Sequence, residues 1–258
     1  MAAPQWAAFV GLTGLVVTAF LVLAWLSAGA VRDPPTIDWR FTPVGVDPGV
    51  QSRPVVHTRI LHPQLESIST ASLLANVAVT QGLFAVVLVG GAVAFSIPPR
   101  AFGLGAGVTS GRALLLGLAL GAGLWVANEA SARALDVAGI EYDERLRAML
   151  APDSLAGWVV LLGVALPTIA AVEELLFRAA AVGVVAAGFD LSPWPLVVGS
   201  SVAFGLGHGA QGRAGIAVTA VLGTVLASAF VLSGSLLVVV VAHYLVNALE
   251  LVVHEGLA

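Results

Sequence analysis

Long uncharged runs dominate this 258-residue chain, and they restrict the folds open to it more than any other feature. Between residues 155 and 189, only Glu173, Glu174 and Arg178 carry a formal charge. Such a stretch exceeds the roughly 20 residues that a helix needs to cross a bilayer. Similar runs cover about 5–31, 73–97, 113–131, 194–209, 214–233 and 235–253. The chain is 59% hydrophobic and 10% charged, whereas soluble domains lie near about 45–50% apolar and about 25% charged. The expected fold class is all-α, a polytopic transmembrane helical bundle of about seven spans within a range of six to eight. Glycine and alanine recur at spacings that let helix backbones approach closely.

Polar segments separate these runs. Residues 32–72 hold Arg32, Asp33, Asp38, Arg40, Asp47, Arg53, Arg59 and Glu66 among several prolines, and read as an extramembrane loop. Its His57 and His62 are expected to be solvated. Residues 132–154 form a second polar segment. Residues 1–154 thus read as an N-terminal transmembrane region, and 155–254 as a helical core with the chemistry. Ala28-Gly29-Ala30 looks like a leader cleavage site, but no basic residue precedes the first run, which favours a retained span. Glu129 and Arg133 are spaced for an i,i+4 ion pair. With seven spans, Arg32, Arg40, Arg53, Arg59, Arg133, Arg145, Arg147 and Arg213 share one side, so the positive-inside rule places the N-terminus outside.

Cysteine is absent, which removes disulfides, thiolate metal sites and cysteine nucleophiles together. A net charge of −4 with no basic cluster excludes a nucleic-acid partner. The expected location is a membrane crossed several times, the plasma membrane of a prokaryote, with the lipid bilayer as the constant partner.

The few polar side chains inside the apolar runs carry the functional signal, because an ionised group at a helix centre costs at least about 2.5–3.5 kcal/mol. Glu174 and Arg178 lie four apart and can pair along one face. Glu173 is turned about 100° away from Glu174 by the helix pitch, so it needs a partner from elsewhere. Phe204 and His208 are four apart on another run, and His243 and Asn247 on a third. One glutamate and two histidines on three helices can activate water, directly or around a metal such as zinc. The Asn247 amide suits an oxyanion. The long fourth run contains Pro167. A span starting near Pro167, with 155–166 tilted or re-entrant, brings Glu173 nearer the depth of His208.

These three motifs, Glu-Glu-x-x-x-Arg, Phe-x-x-x-His and His-x-x-x-Asn, resemble the CPBP family over about 155–253. That group comprises CAAX prenyl endopeptidases and bacteriocin-processing and immunity proteins. The resemblance implies an intramembrane endopeptidase acting on membrane-associated or lipidated peptide substrates. Glu173 and His208 would activate the attacking water. His243 and Asn247 would stabilise the oxyanion, or His243 would join Glu173 and His208 in a metal shell. Glu174, Arg178 and Phe204 would support them. The cofactor stays open between a single divalent metal such as zinc and none. Ala179 stands where the family usually has glycine. A non-catalytic scaffold or immunity protein, and then a transporter, are the competing readings. Intact Glu173, His208, His243 and Asn247 speak against the first, and the lack of an internal repeat against the second.

Glu250 and His254 continue the face of His243 and Asn247. Glu250 is expected either to orient a site residue or to lie at headgroup level.

Overall fold

A computed structural model describes residues 3–32, 70–105, 110–139 and 150–256. Nearly all of the loop at 32–72, with His57 and His62, lies outside these residues, as does 140–149. Seven long helices occur among the described residues: α1 (Pro4–Arg32), α2 (Thr70–Ala94), α3 (Gly111–Val137), α4 (Leu155–Phe189), α5 (Pro193–Gly207), α6 (Gly212–Ser233) and α7 (Leu236–Leu251). No strand is present among them. Six helices are long and apolar enough to cross a membrane. The exception, α5, has 15 residues and at 1.5 Å per residue reaches about 22 Å, short of the roughly 30 Å hydrocarbon layer. The all-α polytopic bundle is therefore present, and the protein is an integral, multi-pass membrane protein.

The helix ends follow from local chemistry. Ser154 opens α4 by accepting a hydrogen bond from the Gly157 N–H at 3.1 Å, and Ser235 does the same for Val238 in α7 at 3.4 Å. Pro193 begins α5, where a missing N–H is harmless. Gly234 ends α6 with φ +63°, the left-handed conformation that glycine adopts without penalty.

Pro167 does not break α4. A π-helical turn at Leu161–Ala165 precedes it, and the Leu166 N–H reaches back to the Leu161 carbonyl. The wider turn makes room for the proline ring and absorbs its lost hydrogen bond within a continuous helix. The expected re-entrant piece at 155–166 is thus the first part of one 35-residue helix. A second π-helical stretch, Leu175–Val184, begins directly after Glu173 and Glu174.

Packing is closest where side chains are smallest. Gly117 and Gly121 of α3 lie against the Val238 and Ala242 carbonyls of α7, where a Cβ would come within 2.8 Å of backbone oxygen. The core is a run of aromatic contacts. Phe20 of α1 meets Phe177 of α4 at 5.2 Å between centroids, and Phe177 meets Phe204 of α5, also at 5.2 Å. Outward-facing Leu15, Trp25, Val79, Val93 and Leu232 are exposed, as suits a surface solvated by lipid.

Candidate active site

Glu173 and Glu174 leave α4 in different directions, yet both face His243 of α7. Glu174 is fully buried. Its Oε1 accepts from Arg178 Nη1 at 2.8 Å and lies 2.7 Å from His243 Nδ1. A carboxylate oxygen so close to Nδ1 requires the proton there, so the tautomer is set and Nε2 is the nitrogen left for other work. That Nε2 lies 3.8 Å from Glu173 Oε2. The separation is too long for a direct hydrogen bond and leaves a water free to bridge the two from the side. Both residues are more than nine-tenths buried.

Arg178 is fully buried as well. Its guanidinium sits 4.2 Å above the Phe204 ring centre, and its Nη2 donates to the Gly223 carbonyl at 3.4 Å. Gly223 allows this approach: a Cβ there would lie 3.1 Å from Phe204 and 3.4 Å from Arg178. Arg178 therefore ties α4, α5 and α6 together while neutralising Glu174, an arrangement that limits the penalty of taking either charge out of water.

Phe204 is the hub of the aromatic side. Its ring lies 4.6 Å from that of His208 and 5.8 Å from that of His243. His208 caps the C-terminus of α5, with Nδ1 held 2.8 Å from the Phe204 carbonyl. Nε2 is again the free ring nitrogen, and the side chain is half-buried. His208 forms no ion pair with Glu173 among the described residues; its link to the site runs through Phe204. Asn247 follows His243 by one turn, half-buried, with its amide unengaged by any described residue.

The donor atoms of Glu173, His208 and His243 do not converge into one ligand set. The group that does so among the described residues is Glu129, Glu250 and His254, with donor atoms within 4.8 Å of one another. Glu129 Oε1 lies 2.7 Å from His254 Nε2, so Glu129 engages α7 rather than Arg133 of its own helix. Glu250 accepts from Asn128 Nδ2 at 3.2 Å. It thus joins α7 to α3 in a second polar cluster.

One site residue escaped the sequence reading. Gln81 of α2 points its Nε2 at Glu173 Oε1, 3.5 Å away, and is buried. The available signal was an amide inside an apolar run, too common to single out.

Buried charges and two imidazoles held by hydrogen bonds thus lie together inside a bundle of membrane-length helices. Residues 155–249 match the family model described as type II CAAX prenyl endopeptidase Rce1-like. Every motif residue from Glu173 to Asn247 lies within that match, so this part of the chain is similar to the type II CAAX prenyl endopeptidases. No curated protein and no solved structure matches the chain.

Proposed function

We propose that the chain is an endopeptidase in which Glu173 is the general base and His243, oriented by Glu174, is the electrophilic partner. Helices 155–254 form the catalytic core, and the N-terminal helices complete its walls. The substrate is the peptide of a membrane-associated or lipidated protein, a prenylated C-terminal segment among them. The observation that carries the reading is the placement of His243 between two glutamates, Nδ1 on Glu174 at 2.7 Å and Nε2 facing Glu173 at 3.8 Å.

In this reading a water donates one hydrogen to Glu173 Oε2. As the carboxylate takes that proton, the water oxygen attacks the scissile carbonyl carbon and the C=O electron pair moves onto oxygen. The oxyanion accepts hydrogen bonds from the Asn247 amide and from His243 Nε2, which donates when the imidazole carries a proton on each nitrogen. Glu173 then returns its proton to the amide nitrogen, the C–N bond breaks, and a carboxylic acid and an amine leave. His208, with Nδ1 occupied, offers Nε2 to the water or the departing amine. Low dielectric strengthens each of these contacts. No step is routed through a metal.

The test is cleavage of a labelled peptide library that includes prenylated peptides, in liposomes, by wild type and Glu173→Ala, each with and without a chelator. Cleavage that is lost in the variant and insensitive to the chelator supports the reading. Cleavage that survives Glu173→Ala sinks it.

A further inference from the structure

We propose that Gln81, from a helix outside the family-matched segment, is a positioning residue for Glu173: its side-chain amide holds one carboxylate oxygen so that the other faces the hydrolytic water. The inference rests on Glu173 being the base.

Gln81 sits in α2 with 7% of its surface exposed. A polar amide buried in a membrane span is expensive unless it is paired. Its Nε2 lies 3.5 Å from Glu173 Oε1, 92 positions away in the chain. The orientation of the amide is set by charge, since the flipped form would press a carbonyl oxygen against a carboxylate. The contact leaves two acceptors without a protein donor, Gln81 Oε1 and Glu173 Oε2, and both are buried. They are the remaining oxygens of the same amide–carboxylate pair. Water is the donor left to Glu173 Oε2, which is also the oxygen nearest His243 Nε2. Gln81 thereby decides which oxygen of Glu173 acts as base, and the oxygen it leaves is the one beside the imidazole. A side chain kept only for packing would need neither amide atom, and methionine would fill the same volume.

The experiment compares full-length wild type with Gln81→Met, alone and combined with Glu173→Ala. With a peptide that wild type cleaves, kcat should fall about 10- to 100-fold, the worth of a hydrogen bond to a charged group, while KM and thermal stability hold. In the Glu173→Ala background Gln81→Met should change nothing further. A readout that needs no substrate is infrared difference spectroscopy at fixed neutral pH, in which subtracting the spectrum of Glu173→Gln isolates the Glu173 carboxylate bands. These bands should shift in Gln81→Met. Unshifted bands, or an unchanged kcat, would overturn the proposal. If wild type cleaves nothing while the bands shift, the endopeptidase reading falls and the amide–carboxylate coupling stands. If wild type cleaves and neither the bands nor kcat move, Gln81 falls and the endopeptidase reading stands.

Discussion

One oxygen of Glu174 serves both Arg178, at 2.8 Å, and His243, at 2.7 Å. The sequence spacing makes Glu174–Arg178 look like a self-contained helix pair. The shared oxygen instead couples charge neutralisation on α4 to the orientation of an imidazole on α7.

Two variants separate these roles. Glu174→Ala should destabilise the protein by about 3–5 kcal/mol, because it removes the direct ion-pair partner of the fully buried Arg178. Glu174→Leu combined with Arg178→Met removes both charges at similar volume and should recover most of that stability. It should not recover peptide cleavage, because His243 has lost the acceptor that fixes its tautomer. Unfolding in detergent and cleavage in liposomes, measured on the same preparations, check both halves.

Glu173 should behave in the opposite way. It makes no hydrogen bond to a cation, and its Oε2 has no protein donor. Glu173→Gln removes a desolvated carboxylate while keeping its shape, so stability should hold or rise. Cleavage should fall by about 10²–10⁴-fold, the usual contribution of a general base. Loss of fold in this variant, seen as a lowered unfolding temperature, would instead make Glu173 a structural residue.

The helices and the motif residues were legible in the sequence because both depend on local spacing. Apolar run lengths mark the spans, and four-residue intervals place Phe204 with His208 and His243 with Asn247 on single faces. What was not legible depends on partners distant in the chain. Nothing near Glu129 shows that His254 outcompetes Arg133, and nothing near Gln81 shows that α2 faces Glu173. The continuity of α4 through Pro167 also needed the structure, since the π turn that absorbs the proline has no distinctive composition. In the structure Phe204 links His208 to His243, and His243 in turn faces Glu173.

The α3–α7 seam should be intolerant of bulk. Gly117 and Gly121 meet backbone carbonyls where a Cβ would stand at 2.8 Å, and backbone cannot rotate away as a side chain can. Gly121→Leu should therefore push α7 outward and cost about 1–3 kcal/mol of stability. Because α7 carries His243 and Asn247, cleavage should fall as well. Gly123 has nothing within 4 Å of a Cβ, so Gly123→Leu should leave both stability and cleavage near wild type. Parallel unfolding and activity measurements on the two variants check this contrast.

The second polar cluster should prove a clasp for the end of α7, separable from the chemistry. His254 and Glu129 are partly exposed, at 32% and 16%, so solvent screens their attraction and the pair should contribute no more than about 1 kcal/mol. Its effect should be local. The chain passes into a π turn at Val252–Gly256, where His254 reaches back to Glu129 of α3. His254→Ala should speed hydrogen exchange in residues 250–256 while leaving exchange around His243 and the rate of peptide cleavage unchanged. Slower cleavage with unaltered exchange would mean instead that the cluster acts on the reaction and that the two polar centres along α7 are one functional unit.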